Sequence, residues 1–145
     1  MILTDKEKII HQWIIDVSKN NPELGGFPVC PYAFKSKNKI IECSIDDIVP
    51  ESGYDVVIFI VEDNLELETI HEYVKKYNEI HEDYSFFEDC ASQDTFINGI
   101  KTNNPSLNLI LCQKTEKLKK FREQLGKTDY YKYWDEEYLK KILEN

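Results

Sequence analysis

Chemistry is first legible at Gly25-Gly26-Phe27-Pro28-Val29-Cys30-Pro31-Tyr32-Ala33-Phe34, where one cysteine stands between two prolines. Pro31 suits the first position of a helix, so Tyr32 to Lys35 is expected to begin a short turn with Cys30 at its N-cap. In that place the turn's N–H groups and dipole favour a thiolate, and Lys35 or Lys37 would add to the effect. Cys30 is then a candidate nucleophile or redox thiol, with Tyr32 lining the site. The same residues also read as a small buried thiol in a loop that the prolines merely fix.

His81 and Asp83 form a second group. A nearby carboxylate can fix an imidazole's tautomer and raise its pKa, which makes His81 a candidate base. Two polar residues at this spacing near a helix end are also an ordinary solvated pair. Arg122 is the candidate anion contact. The expected catalytic set is thus Cys30, His81 and Asp83, with Tyr32 and Arg122 touching a ligand. Asp46-Asp47 and Glu62-Asp63 end adjacent strands and could converge on a hard cation such as Mg²⁺. Helix capping already accounts for Asp63, and no Asp-x-Asp-x-Asp-Gly loop is present, so neither a metal nor a cofactor is expected. The run Tyr130-Tyr131-Lys132-Tyr133-Trp134 reads as a stacking platform, a protein interface or a lid over a core.

The bulk properties narrow these readings. A chain of 145 residues with 41% hydrophobic and 31% charged content is expected to form one globular domain, 1–145. The longest purely apolar run, Val56 to Val61, is too short to cross a bilayer, and the opening residues lack a signal-peptide core. A cytoplasmic protein without a membrane partner is expected. Four scattered cysteines with no Cys-x-x-Cys pair are expected to be thiols. A net charge of −9 argues against a nucleic-acid partner. Ten carboxylates and no Lys or Arg lie between Glu42 and Glu72, whereas Lys114 to Lys127 is basic. Such runs make solvated faces or a surface for a basic partner or a cation.

The elements that must position these residues follow in order. Thr4 and Glu7 make a capping box, ahead of a helical stripe of Ile9, Ile10, Trp13, Ile14 and Val17 that should stop by Asn20-Asn21-Pro22. Lys39 to Ile45 reads as a strand. Tyr54 to Glu62, apolar on both faces, reads as a central one. Asp63 is expected to cap a helix, with Glu66 completing the box and Leu67, Ile70, Tyr73, Val74, Tyr77 and Ile80 inward. Tyr84 to Phe87 then closes a β-α-β unit, and Glu88 to Pro105 is turn-rich, with Asn98-Gly99 as a hairpin signal. Leu107 to Cys112 is a strand. Thr115 is expected to cap a helix with Leu118, Phe121 and Leu125 inward and Gly126 as its stop. Asp135 to Leu143 is expected to be a last helix. The order predicts an α+β two-layer sandwich, a mainly antiparallel four-stranded sheet with helices packed on it, and also fits a permuted ferredoxin-like sheet.

Cys30-Pro31-Tyr32-Ala33 shares three of four residues with a glutaredoxin-type Cys-Pro-Tyr-Cys, without the resolving cysteine. A resemblance over more of the chain joins the Trp13 helix and Val29-Cys30-Pro31-Tyr32-Ala33. Together they look like a small bacterial family known as a domain of unknown function, with Leu-Cys-Pro-Phe-Ala after a Trp-containing helix. Pro105-Ser106-Leu107-Asn108-Leu109 stands where that family has a Pro-x-Leu-x-Leu strand, with Asn108 in place of its usual His. Arg122-Glu123-Gln124-Leu125 resembles the family's closing helix, and His81-Glu82-Asp83-Tyr84-Ser85-Phe86 its His-Pro-Asp-Tyr-x-Phe segment without the proline. The resemblance bears on the fold and on Cys30 and brings no activity with it. The residues therefore point to thiol chemistry or small-ligand binding at the Cys30 loop. The alternative is a non-catalytic protein-interaction or regulatory module using the acidic 42–72 region or the Tyr130–Trp134 patch.

Overall fold

The computed structural model describes residues 2–31, 35–134, 136, 139 and 140. Helix α1 (Asp5–Val17) opens with the expected capping box, Glu7 N donating to Thr4 Oγ1 at 3.1 Å and Thr4 N to the Glu7 carboxylate. Its apolar stripe faces the core as the spacing requires, with Ile10 and Val17 buried and Ile9, Trp13 and Ile14 partly so.

Strands β1 (Asn38–Glu42) and β2 (Val56–Ile60) precede helix α2 (Leu67–Ile80) and strand β3 (Tyr84–Cys90). A small hairpin, β4 (Phe96–Ile97) and β5 (Ile100–Lys101), turns at Asn98-Gly99 with φ of 49° and 84°. Paired positive φ angles are what a two-residue hairpin turn demands, and Asn-Gly supplies them at low cost. Strand β6 (Asn108–Lys114) and helix α3 (Thr115–Gly126) follow.

The four long strands form one sheet in the order β1-β2-β6-β3. Strand β6 runs antiparallel to both neighbours, while β1 and β2 are parallel. The sheet is therefore mixed. The antiparallel expectation holds for two pairings and fails at β1, and an all-antiparallel ferredoxin-like sheet has no such pair. The cause is the connection through residues 43–55. Its Ile45 and Ile48 are buried against the sheet, so the chain crosses over one face instead of reversing as a hairpin. Strands β2 and β3 flank α2 as expected of a β-α-β unit, with β6 inserted between them.

Alternation along the inner strands decides the layering. Val57, Phe59, Ile110 and Cys112 join the core under α2, whereas Ile58, Ile60 and Leu109 join the core under α1. Inner strands that are apolar on both sides need cover on both sides. Helices thus lie on both faces, giving three layers where two were expected. The α+β class stands.

Three local expectations are corrected. Helix α2 begins at Leu67 behind Glu66, with no side-chain cap; Asp63 and Asn64 make a turn that lets Leu65 pack on the core. Lys114, not Thr115, is the N-cap of α3, and the Thr115 hydroxyl instead bonds Ser85 Oγ at 2.8 Å. Strand β3 continues through Glu88 and Asp89 to Cys90, residues read as turn. The expected helix over Asp135 to Leu143 falls largely outside the described residues.

β3 is an edge strand, and α2 covers part of that edge. Asn78 Nδ2 donates to Phe86 O at 3.1 Å while Phe86 N donates to Asn78 Oδ1 at 2.8 Å. One side-chain amide thus takes the position another strand's peptide would occupy. Among the described residues no helix is long and apolar enough to cross a membrane.

Candidate functional site

Register places Ile40, Ile58, Leu111 and Phe87 side by side across the sheet, with Glu42, Ile60, Leu109 and Asp89 as the next row on the same face. Helix α1 covers Ile60 and Leu109. Toward the other end the helix stops at Val17, and the face opens into a cavity of about 380 Å³. Its floor is Val56, Ile58, Leu111 and Gln113. One wall is Trp13, Ile14 and Val17 of α1; the opposite wall is Leu118, Phe121, Arg122 and Leu125 of α3. Thr95, Thr102 and Asn103 close one end, and Val29, Cys30 and Pro31 stand at another side.

The Cys30 loop is held there by its own backbone. Cys30 N donates to Val17 O at 2.9 Å, which ties the loop to the end of α1. The Tyr130 hydroxyl donates to Val29 O, and the Phe27 and Tyr130 rings meet edge-on with centroids 5.6 Å apart. Tyr130, Tyr131 and Trp134 form one aromatic cluster with centroids 4.9 to 5.1 Å apart, and all three line the cavity. Of the three readings for this aromatic run, the geometry corresponds to a lid.

Gly25 makes the lid possible. Its φ is +66°, and the Tyr133 ring lies where a Cβ would project. Gly25→Ala is expected to cost about 1–2 kcal/mol from the left-handed backbone alone, and more as Tyr133 is displaced. A thermal melt, followed through tryptophan fluorescence to register Trp134, checks it.

Cys30 and Arg122 thus share one cavity. Arg122 stands over the Phe87 ring at 6.0 Å, and burial holds its pKa below the usual value. His81 and Asp83 lie elsewhere. The His81 ring packs against Tyr77 and Phe86 on the α2 side, with the sheet between it and the Cys30 cavity. Asp83 uses its backbone carbonyl to accept from Thr115 N and borders a second pocket, of about 450 Å³, with Lys114 and Lys119. Cys30, His81 and Asp83 are not assembled into one site. Tyr32, with the turn expected to start at Cys30, lies outside the described residues.

The acidic 42–72 region is partly neutralised from other elements. Lys6, Lys39 and Lys117 pair with Glu42, Glu51 and Asp55 at 2.9, 2.7 and 2.7 Å. Glu62 accepts from Ile45 N at 2.7 Å, and Asp46 accepts from the Tyr73 hydroxyl. Among the described residues no group of three or more His, Cys, Asp or Glu is placed to hold a metal.

The main addition to the sequence reading is Asp89, on the cavity wall and largely buried. Its Oδ1 accepts from Asn104 N and Asn104 Nδ2, both at 2.7 Å. Desolvation pushes its carboxyl up to about 6, against the pull of the two Asn104 bonds. Asn104, fully buried, also donates to Asp89 O and Leu107 O and accepts from Ser106 N and Leu107 N. The available sequence signal was Asn103-Asn104-Pro105, an Asx-type turn motif, and an acidic pair closing the apolar Phe86-Phe87 run. On the opposite face His71 Nε2 lies 3.2 Å from the Glu88 carboxylate, another pairing the sequence did not disclose.

No protein-family model, curated protein or solved structure matches this chain.

Proposed function

We propose that the chain binds a small, largely apolar molecule in the cavity between the sheet and the Cys30 loop. The observation that carries this reading is the cavity itself. At about 380 Å³, with a mainly aliphatic floor, walls of aliphatic and aromatic side chains and a minority of polar residues that includes Gln113, Thr95, Asn103, Asp89 and Arg122, it has the size and composition of a small-molecule site. Cys30 lines the same cavity, which supports a ligand site at the loop expected to carry thiol chemistry.

The cysteines provide the test. Burial pushes Cys90 and Cys112 up to about 12, and Cys43 is also raised. A rise of that size lowers the thiolate fraction near neutral pH on the order of a thousandfold, so N-ethylmaleimide is expected to label Cys30 first. The neutral dye N-phenyl-1-naphthylamine should bind with enhanced fluorescence and slow that labelling severalfold. Leu111→Trp, which fills the floor, should weaken the dye roughly tenfold or more. Dye binding that neither protects Cys30 nor responds to Leu111→Trp, or no binding, overturns the reading.

A further inference from the structure

We propose that the molecule taken by this cavity is a small amine carrying an aromatic or alkyl body, its ammonium seated on Asp89. The inference rests on the cavity being a ligand site and names the ligand's chemistry.

Asp89 divides its two oxygens. Oδ1 is committed to Asn104, while Oδ2 accepts no hydrogen bond from the described residues, and the residue borders the cavity. A carboxylate pinned by one oxygen, largely withdrawn from water and open on the other, is preorganised for a donor that brings positive charge. The surroundings favour such a donor. Trp13 Nε1 donates to Thr102 O at 3.0 Å, which fixes the indole beside the Thr95, Thr102 and Asn103 end of the cavity. Tyr130 and Trp134 add aromatic faces, which attract an ammonium and pack against a hydrocarbon body.

Among the described residues two other charges act on Asp89. Glu88 follows Phe87 on the same strand and raises the Asp89 pKa; Lys101 of β5 lowers it, and Lys101 is also 3.3 Å from Asp94. Arg122 stands over Phe87 on the α3 side and opposes a cation there, which directs the ammonium to the Asp89 end. On this face Asp89 supplies a carboxylate, while the Glu88 carboxylate lies on the opposite face, 3.2 Å from His71 Nε2.

Displacement of N-phenyl-1-naphthylamine by three matched probes separates the possibilities. At pH 7.5, 2-phenylethylamine is expected to bind roughly tenfold to a hundredfold more tightly than 2-phenylethanol, the span of a charge-assisted hydrogen bond over a neutral one. The advantage should shrink below pH 6 as Asp89 gains its proton. Asp89→Asn should abolish the amine's advantage over 2-phenylethanol. Equal binding of amine and alcohol, or tighter binding of 3-phenylpropionate, overturns the amine assignment and leaves the cavity reading intact. Failure of the dye and all three probes to bind overturns both.

Discussion

Asp89→Asn is expected to stabilise the fold by about 2–3 kcal/mol at pH 7, an unusual gain for a single substitution. The carboxyl titrates near 6 in the folded chain against its ordinary 3.8, and desolvation is the leading cause. The native state therefore holds this proton more tightly than the unfolded chain does. Asp89's contribution is fully present below the ordinary value, falls as pH rises toward 6, and stays lost above it. Asparagine keeps an Oδ1 to accept both Asn104 bonds and never ionises. Urea unfolding of both proteins from pH 4 to 8 checks it. The difference should be near zero at the acid end and widen to its plateau above pH 6. Comparing the two proteins cancels other titrations, such as that of Asp55, whose carboxyl Lys117 holds low and whose contribution fades in acid.

The second large effect is expected at Asn104. Asn104→Ala removes a fully buried amide that joins the end of β3 to the turn before β6. Leu107 O and the N–H groups of Ser106 and Leu107 lose this partner, and Asp89 keeps only the backbone bond. Buried polar groups left without partners cost about 1–3 kcal/mol each, so a loss of roughly 3–5 kcal/mol is expected. The denaturation midpoint should fall with an unchanged slope. Asn104→Asp is the sharper probe. It sets two carboxyl groups together, so its deficit should be large at pH 7 and ease in acid, when one proton can be shared.

The sequence displayed what is local. The Thr4–Glu7 box, the Asn98-Gly99 turn and the doubly apolar Val57 to Ile60 segment each carry their instruction within a few residues, and each stands as expected. What it concealed depends on partners far along the chain. Whether β1 runs parallel to β2 depends on how the link between them packs over the sheet. Asp89 looks like a solvated acid until register sets it beside Leu109 under α1. Cys30 and Arg122 share a cavity because α1, the loop and α3 meet over one face, a meeting that no spacing of ninety-odd residues announces. His81 and Asp83 stand two residues apart and read as a pair, yet the sheet separates His81 from Cys30.

The place of β6 has a consequence for how this chain is made. It joins β2 to β3, and it comes last of the four strands. Until residues 108–114 leave the ribosome, β3 has no neighbour and the β1–β2 ribbon ends at an open inner margin. Completion of the sheet thus waits for the synthesis of β6, and a chain cut short before Asn108 would expose Phe59 and Phe86 to chaperones and proteases.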